Sequence, residues 1–129
     1  MAVKGLDHIN IVTSDIDGTK QFYRELLGMV DGDTSGMPPG VQAHWLADPA
    51  GRSIIHLQRY RPERHGPDEA LGPTGAIDHV ALDCEDYDAM VARCAKLGVA
   101  CREGIAGANF RQLFVTDPNG VRLELNFRG

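Results

Sequence analysis

The stretch "GLDHINIV" at residues 5–12 recurs as "GAIDHVAL" at residues 75–82. Each copy places an Asp-His pair at the start of a run whose apolar residues alternate, which is typical of a β-strand. His8 and His79 therefore hold equivalent places in the two copies. The recurrence predicts a duplicated unit, and duplicated units often place equivalent residues around one shared site.

A predicted helix follows the strand in each copy. Apolar residues recur at helical spacing over residues 15–29, where Asp15 is a candidate N-cap and Gly28 a candidate stop. The second copy has a similar stretch at residues 85–99, which also ends in Leu-Gly before its last residue. The order strand-helix is thus the same in both halves.

A matching turn lies further along each half. "DPAG" at 48–51 and "DPNG" at 117–120 each separate two runs with strand alternation. The sequence therefore predicts an α+β domain of 129 residues with two strand-helix-strand modules, near 4–60 and 75–128. Between them, residues 59–75 form a polar linker with three prolines.

The composition excludes several classes of protein. The chain is 43% hydrophobic with a formal charge of −5, and no broad basic stripe is visible, so we expect no nucleic-acid partner. No apolar run approaches the roughly 20 residues that span a bilayer, and the N-terminus has no signal-peptide core. The three cysteines are odd in number and include no CxxC pair. This predicts a protein of the reducing cytoplasm, and it also argues against a metal site built from thiolates.

Alternation along four predicted strands puts four side chains on the polar face of the sheet. Each of these side chains falls on the face opposite the apolar residues of its own strand; they are His8, His56, His79 and Glu124. Three imidazoles and one carboxylate suit a divalent transition metal such as Zn, Ni, Fe or Mn. Any one histidine alone is more often an ordinary strand residue, but four such residues at equivalent places favour a site.

The sequence resembles the vicinal oxygen chelate superfamily, which includes glyoxalase I, bleomycin-resistance proteins and extradiol dioxygenases. The resemblance rests on "LDHINIVTSDIDGTKQFYRELLGM" at 6–29, "IDHVAL" at 77–82 and "FVTDPNGVRLELNF" at 114–127. It implies two βαβββ modules that form a cupped mixed sheet around a metal. It also implies a homodimer, although the modules of this family pair within one chain or across a dimer.

By position, the resemblance assigns His8, His79 and Glu124 to the three commonest metal ligands and His56 to the fourth. One divalent metal would then chelate two neighbouring oxygens of a small substrate and act as a Lewis acid. The implied enzyme is an isomerase or lyase that works through a metal-bound enolate. Its catalytic base is Glu124 or His56.

Departures from named members narrow the implied chemistry. Bacterial glyoxalase I has polar residues for glutathione where this chain has Val12 and Tyr60. Extradiol dioxygenases have a proton-donating Tyr where this chain has Phe114. The segment "REGIAGANFRQ" at 102–112 lacks the Lys and the Ser-rich loop of fosfomycin-resistance proteins. Two alternatives stay open: an Fe(II) dioxygenase, which Phe114 disfavours, and a drug-binding resistance protein, which the four candidate ligands disfavour.

Four further residues on the polar face are candidates for substrate binding. Trp45 matches Phe114 in the repeat, and both could form aromatic walls of a pocket or simply pack in the core. Gln112 and Asn10 could hydrogen-bond a substrate oxygen or a metal ligand, although solvated strand residues are the commoner case. We expect a small-molecule substrate and no membrane partner.

Overall fold

The computed structural model describes residues 2–33, 43–67 and 74–128. Contacts between Cα atoms divide the chain into two compact units, Met1–Glu69 and Ala70–Gly129. Each unit has its own four-stranded sheet and its own main helix. This confirms the predicted α+β class and the duplication.

The first unit has the order βαβββ followed by a short helix. Its sheet runs β1-β4-β3-β2, with β1 parallel to β4 and the other neighbours antiparallel. A parallel pair needs a long crossover, and α1 lies within it. The elements are β1 (Ile9–Thr13), α1 (Ile16–Glu25), β2 (Val30–Asp31), β3 (Ala43–Ala47), β4 (Ser53–Arg59) and α2 (Pro62–His65).

The second unit repeats this plan without the extra helix. Its sheet runs β5-β8-β7-β6, again with one parallel pair, β5 with β8. β7 pairs antiparallel with both β8 and β6. The elements are β5 (Val80–Cys84), α3 (Tyr87–Leu97), β6 (Arg102–Gly107), β7 (Phe110–Thr116) and β8 (Arg122–Arg128).

The helix ends follow from capping residues. The Asp15 side chain accepts a hydrogen bond from the Gly18 N–H at 2.9 Å, which confirms the predicted N-cap of α1. Gly28 follows α1 with φ +70°, and Gly98 ends α3 with φ +68°. Glycine adopts this left-handed conformation at low cost, so both helices stop where the Leu-Gly pairs predicted.

One face of each sheet is buried. Leu123, Leu125 and Phe127 alternate along β8 and are buried, as their shared face predicted. In the first unit the buried side chains include Tyr23, Leu26, Leu46, Ile55 and Leu57. The candidate ligands His56 and Glu124 lie at the intervening positions of β4 and β8, so the apolar core positions them on the opposite face.

The structure adds three elements that the residue pattern did not show. α2 lies inside the predicted linker, where Pro62 occupies the first turn and the Arg61 N–H donates to His65 Nδ1 at 2.9 Å. The edge strands β2 and β6 lack clear alternation. Glycines and prolines at 31–40 predict a loop, and the run before the turn at 48–51 predicts a strand over 41–47. Residues 34–42, which include most of that loop and the start of that strand, lie outside the described residues. No helix in the described ranges is long and apolar enough to cross a membrane.

Candidate metal centre

Two of the four predicted ligands meet in the first unit. His56 lies in the middle of β4, opposite Asn10 of β1 and Trp45 of β3 in the strand register. The His56 ring stacks on the Trp45 indole, with centroids 4.3 Å apart and planes at 10°. The His8 ring meets the same indole edge-on at 4.8 Å, and its centroid is 6.2 Å from that of His56. The indole thus positions both imidazoles.

His56 has a buried nitrogen with no hydrogen-bond partner in the described part of the chain, Nε2. Buried polar atoms are rarely left this way, because an unpaired one costs free energy. Burial lowers the pKa of His56, and the nearby His8 lowers this pKa further, so the ring favours its neutral form. A neutral imidazole with one unpaired nitrogen fits a metal ligand.

The other ring nitrogen of His56 contacts an amide. Asn10 Nδ2 lies 3.3 Å from His56 Nδ1. The nitrogen and oxygen of an amide are interchanged by a simple flip. With its oxygen toward Nδ1, Asn10 would accept the ring N–H and leave the lone pair on Nε2. Asn10, predicted as a substrate contact, is therefore placed beside a candidate ligand.

The other two predicted ligands meet in the second unit. Glu124 lies on β8 opposite Ala81 of the parallel strand β5, two residues beyond His79. This register brings His79 Nε2 to 3.8 Å from Glu124 Oε1. Glu124 Oε2 accepts a hydrogen bond from Asn126 Nδ2 at 3.0 Å. An imidazole nitrogen and one carboxylate oxygen therefore face each other.

Each histidine of the repeated motif is held by the aspartate before it. His8 Nδ1 lies 2.5 Å from Asp7, and His79 Nδ1 lies 2.9 Å from Asp78. A carboxylate on Nδ1 keeps the proton there and leaves the lone pair on Nε2, an arrangement common at metal sites. The two Asp-His pairs carried this signal in the sequence, but only the histidines were singled out.

Asp78 also binds a cation from the strand that carries Glu124. Arg122 donates to Asp78 at 3.3 Å. The hydrogen bond from His79 and the charge of Arg122 hold the pKa of Asp78 below its usual value. Asp78 is therefore an ionised acceptor at neutral pH, which suits its contact with His79.

The remaining predicted substrate residues lie on the same faces. Phe114 pairs with Glu124 across β7 and β8, as Trp45 pairs with His56, which matches the predicted repeat. The Arg102 guanidinium lies 4.7 Å from the centroid of the Phe114 ring. Gln112 is buried and hydrogen-bonded through both ends of its amide. Its placement is that of a scaffold residue, and the predicted substrate contact stays a prediction.

The structure brings the four predicted ligands together as two pairs, one in each unit. Within the described residues of either unit, no three His, Cys, Asp or Glu side chains gather into a metal-binding group. In each pair the histidine of the repeated motif lies one residue before β1 or β5, so the strands begin later than the sequence predicted, and its partner lies on β4 or β8. A centre with all four donors is therefore a proposal that requires both units.

A family model matches residues 5–125, and its description is the Glyoxalase/Bleomycin resistance protein/Dioxygenase superfamily. The chain belongs to this superfamily. The match covers both modules and all four candidate ligands, which confirms the resemblance seen in the sequence. Members of this superfamily bind small molecules, and many of them are enzymes.

Known relatives agree with this assignment. The uncharacterized protein YaeR of Escherichia coli (strain K12) is 32% identical over 97% of both chains. A putative glyoxalase family protein from Bacillus anthracis matches with a TM-score of 0.75 and 19% identity, covering 100% of this chain and 98% of its own. TnmS3, an antibiotic binding protein from Streptomyces sp. CB03234, is 27% identical with a TM-score of 0.68, covering 100% and 99%.

Proposed function

We propose that the protein is a metal-dependent enzyme that isomerises or cleaves a small substrate with two neighbouring oxygens. The proposal rests on the buried Nε2 of His56, which lies beside His8 and has no hydrogen-bond partner among the described residues. In the repeat it is matched by the facing pair His79 and Glu124. Members of the superfamily without metal chemistry have no need of four such donors.

The donor set fits one divalent transition metal per site. His8, His56 and His79 would supply imidazole nitrogens, and Glu124 would supply a carboxylate oxygen. This mixture suits Zn, Ni, Mn or Fe. When bound, such an ion acts as a Lewis acid that polarises two adjacent substrate oxygens.

The chain's own residues would hold the substrate and move its proton. Trp45 and Phe114 lie beside His56 and Glu124 in register, where aromatic walls would orient a planar or apolar substrate. Asp7 and Asp78 hold the imidazoles of their neighbours in one orientation. The transfer of a proton to form an enolate needs a base within hydrogen-bond reach. The candidates are Glu124 and, if its Nε2 does not bind the metal, His56.

Metal analysis tests the proposal directly. Protein purified without chelator and offered Ni, Zn, Mn and Fe should hold close to one equivalent of metal per chain. His79→Ala should lose most of it, because an incomplete set of ligands binds far more weakly. If the wild-type protein binds none of the four metals under these conditions, the proposal of a metal-dependent enzyme is wrong.

We expect that glutathione is not a cosubstrate of this protein. Val12 offers no polar group, and the Tyr60 hydroxyl donates to the Gly66 carbonyl. The metal-loaded protein should show no turnover of the methylglyoxal–glutathione hemithioacetal, whereas a rate near the ordinary enzyme value of about 10 per second would contradict this.

A second candidate is a protein that binds an antibiotic without transforming it. The 27% identity with the antibiotic binding protein TnmS3 over the whole chain favours it. Such a protein would bind its ligand equally well after dialysis against chelator. The metal-dependent enzyme would lose both metal and turnover.

The dioxygenase alternative has its own test. Phe114 has no hydroxyl, so it cannot supply the proton of the ring-cleaving reaction. We expect no catechol-dependent oxygen uptake by the protein loaded with Fe(II). Oxygen uptake that depends on catechol would favour the dioxygenase.

A further inference from the structure

The edge strand β6 contains a bulge beside the Glu124 half of the site. Glu103 pairs with Leu113, but the next paired residue of β6, Ala106, pairs with Arg111. Two residues, Gly104 and Ile105, therefore lie opposite the single residue Gln112. Such bulges redirect backbone groups and are frequent beside functional sites.

The bulge is tightly packed against β7. A Cβ atom on Gly104 would lie 2.5 Å from Cε2 of Phe114 and 3.0 Å from Cβ of Gln112. Only a residue without a side chain allows β6 to approach this closely. The backbone of the bulge is thus held against the side chain of Gln112.

This approach starts a chain of hydrogen bonds that ends at Glu124. The Ile105 N–H donates to Gln112 Oε1 at 3.2 Å, and Gln112 Nε2 donates to Asn126 Oδ1 at 3.0 Å. Asn126 Nδ2 then donates to Glu124 Oε2 at 3.0 Å. We name Ile105, Gln112 and Asn126 the amide relay.

The direction of the amide relay is fixed at its origin. A backbone N–H can only donate, so the Gln112 oxygen must face Ile105 and its NH2 group must face Asn126. By the same logic the Asn126 NH2 group must face Glu124. Gln112 and Asn126 are only 9% and 8% exposed, so water does not compete freely for these bonds.

The consequence falls on the two carboxylate oxygens of Glu124. Oε2 accepts from Asn126, whereas Oε1 points toward His79 Nε2 at 3.8 Å. We propose that Gln112 and Asn126 are positioning residues, which commit Oε2 to the amide relay so that Glu124 binds metal through Oε1 alone. This inference rests on the proposed function, because it assumes that Glu124 is a ligand.

Among the described residues of the first unit, no counterpart of this relay is present. In the repeat, Ala43 stands where Gln112 does and Gln58 stands where Asn126 does. His56, the counterpart of Glu124, contacts Asn10 instead. An imidazole offers one lone pair to a metal, but a carboxylate offers two oxygens. The relay therefore occurs in the second unit, where the proposed ligand Glu124 has two oxygens and only one of them is to bind the metal.

Metal affinity in paired variants tests the relay. Asn126→Leu should weaken binding of Zn or Co(II) by about 10- to 100-fold, the usual effect of removing a partner of a metal ligand. Gln112→Leu, which leaves Asn126 in place, should weaken it by about 10-fold. Gln21→Leu removes an exposed amide on α1 that donates to Glu25, and should leave affinity unchanged.

A double-mutant cycle separates positioning from general damage. In a Glu124→Ala background, Asn126→Leu should cause no further loss of affinity, because no carboxylate remains to be positioned. The Co(II) absorption spectrum should change in Asn126→Leu and stay constant in Gln21→Leu. Circular dichroism checks that each variant is folded, and Gln112→Leu serves if Asn126→Leu does not fold.

The outcomes distinguish this inference from the proposed function. If the wild type binds metal but both relay variants bind it equally well, the relay is wrong and the metal centre stands. If Asn126→Leu causes the same loss with and without Glu124, the relay is merely structural and the inference is again wrong. A wild type that binds no metal overturns both.

Discussion

At the scale of single residues, the contacts of the His56 ring indicate a metal ligand. Its ring is stacked on Trp45, its Nδ1 meets an amide, and its Nε2 is buried without a partner in the described chain. Ordinary core histidines satisfy both nitrogens. We therefore expect His56→Ala to lower metal affinity about as strongly as His79→Ala, with little loss of folded protein. Calorimetric titration of both variants with Zn measures this, and unchanged affinity in His56→Ala would exclude it as a ligand.

The three cysteines should differ in reactivity. Burial raises the pKa of both Cys84 and Cys94 to about 11, with a further contribution from Asp83 for Cys84 and from Cys101 for Cys94. At pH 8 only about a thousandth of a thiol with such a pKa is thiolate, the reactive form. Cys101 is exposed.

Iodoacetamide at pH 8 should therefore modify Cys101 first, and the other two thiols should react faster as the pH rises toward 11. Peptide mapping by mass spectrometry after timed quenching measures the order. In urea all three should react alike, which controls for intrinsic reactivity. Early modification of Cys94 in the native protein would contradict the assignment.

At the scale of elements, the bulge in β6 brings the backbone of Gly104 very close to β7. Gly104→Ala would force its new methyl against Phe114, and overpacking of this kind costs about 1–3 kcal/mol. Because the same backbone anchors Gln112, the variant should also weaken metal binding. Urea unfolding measures the stability, and metal titration measures the second effect.

Gly107→Ala is the matched control for this prediction. It lies in the same strand, and a Cβ there would meet only the Phe110 carbonyl oxygen, at an ordinary 3.8 Å. We expect a change in unfolding free energy within about 1 kcal/mol and unchanged metal affinity. Equal destabilisation by both substitutions would show that the close approach at Gly104 is not what limits the packing.

At the scale of the whole molecule, the two units should be linked by the metal. If donors from both units bind one ion, metal stabilises the native state, by about 2.7 kcal/mol at a free concentration of 100 times Kd. The melting temperature should rise by several degrees on metal addition. Either His8→Ala or His79→Ala, in different units, should abolish this rise. A rise that survives in one variant would mean that a single unit binds the metal.

The expected homodimer can be examined with the same variants. Sedimentation should give about twice the chain mass of 14.0 kDa. A mixed dimer contains one His8→Ala chain and one His79→Ala chain. If each site combines modules of two chains, the mixed dimer has one site with all four ligands. If each site lies within one chain, both sites of the mixed dimer lack a ligand. Metal content of the mixed dimers decides between these arrangements. A monomeric mass would contradict the expected dimer.

The local pattern of the sequence determined the duplication, the α+β class and the faces of β4 and β8 that carry His56 and Glu124. These features depend on spacing within one element, such as the period of two that puts Leu123 and Leu125 opposite Glu124. Asp15 and the Leu-Gly pairs likewise acted within a turn or two of chain. Such signals are readable without knowing which strands are neighbours.

Only the tertiary structure decided which polar groups meet. The amide relay joins residues 14 apart across β7 and β8, and Asn10 meets His56 from 46 residues away. These contacts depend on strand order and register, and the bulge at Gly104 shifts that register by one residue. Alternation along the strand predicted that Gln112 lies on the polar face of the sheet, and for that reason it was a candidate substrate contact. Its hydrogen-bond partners could not be predicted from the sequence. A hydrogen bond needs its two atoms within about 3 Å, and packing between strands sets that distance.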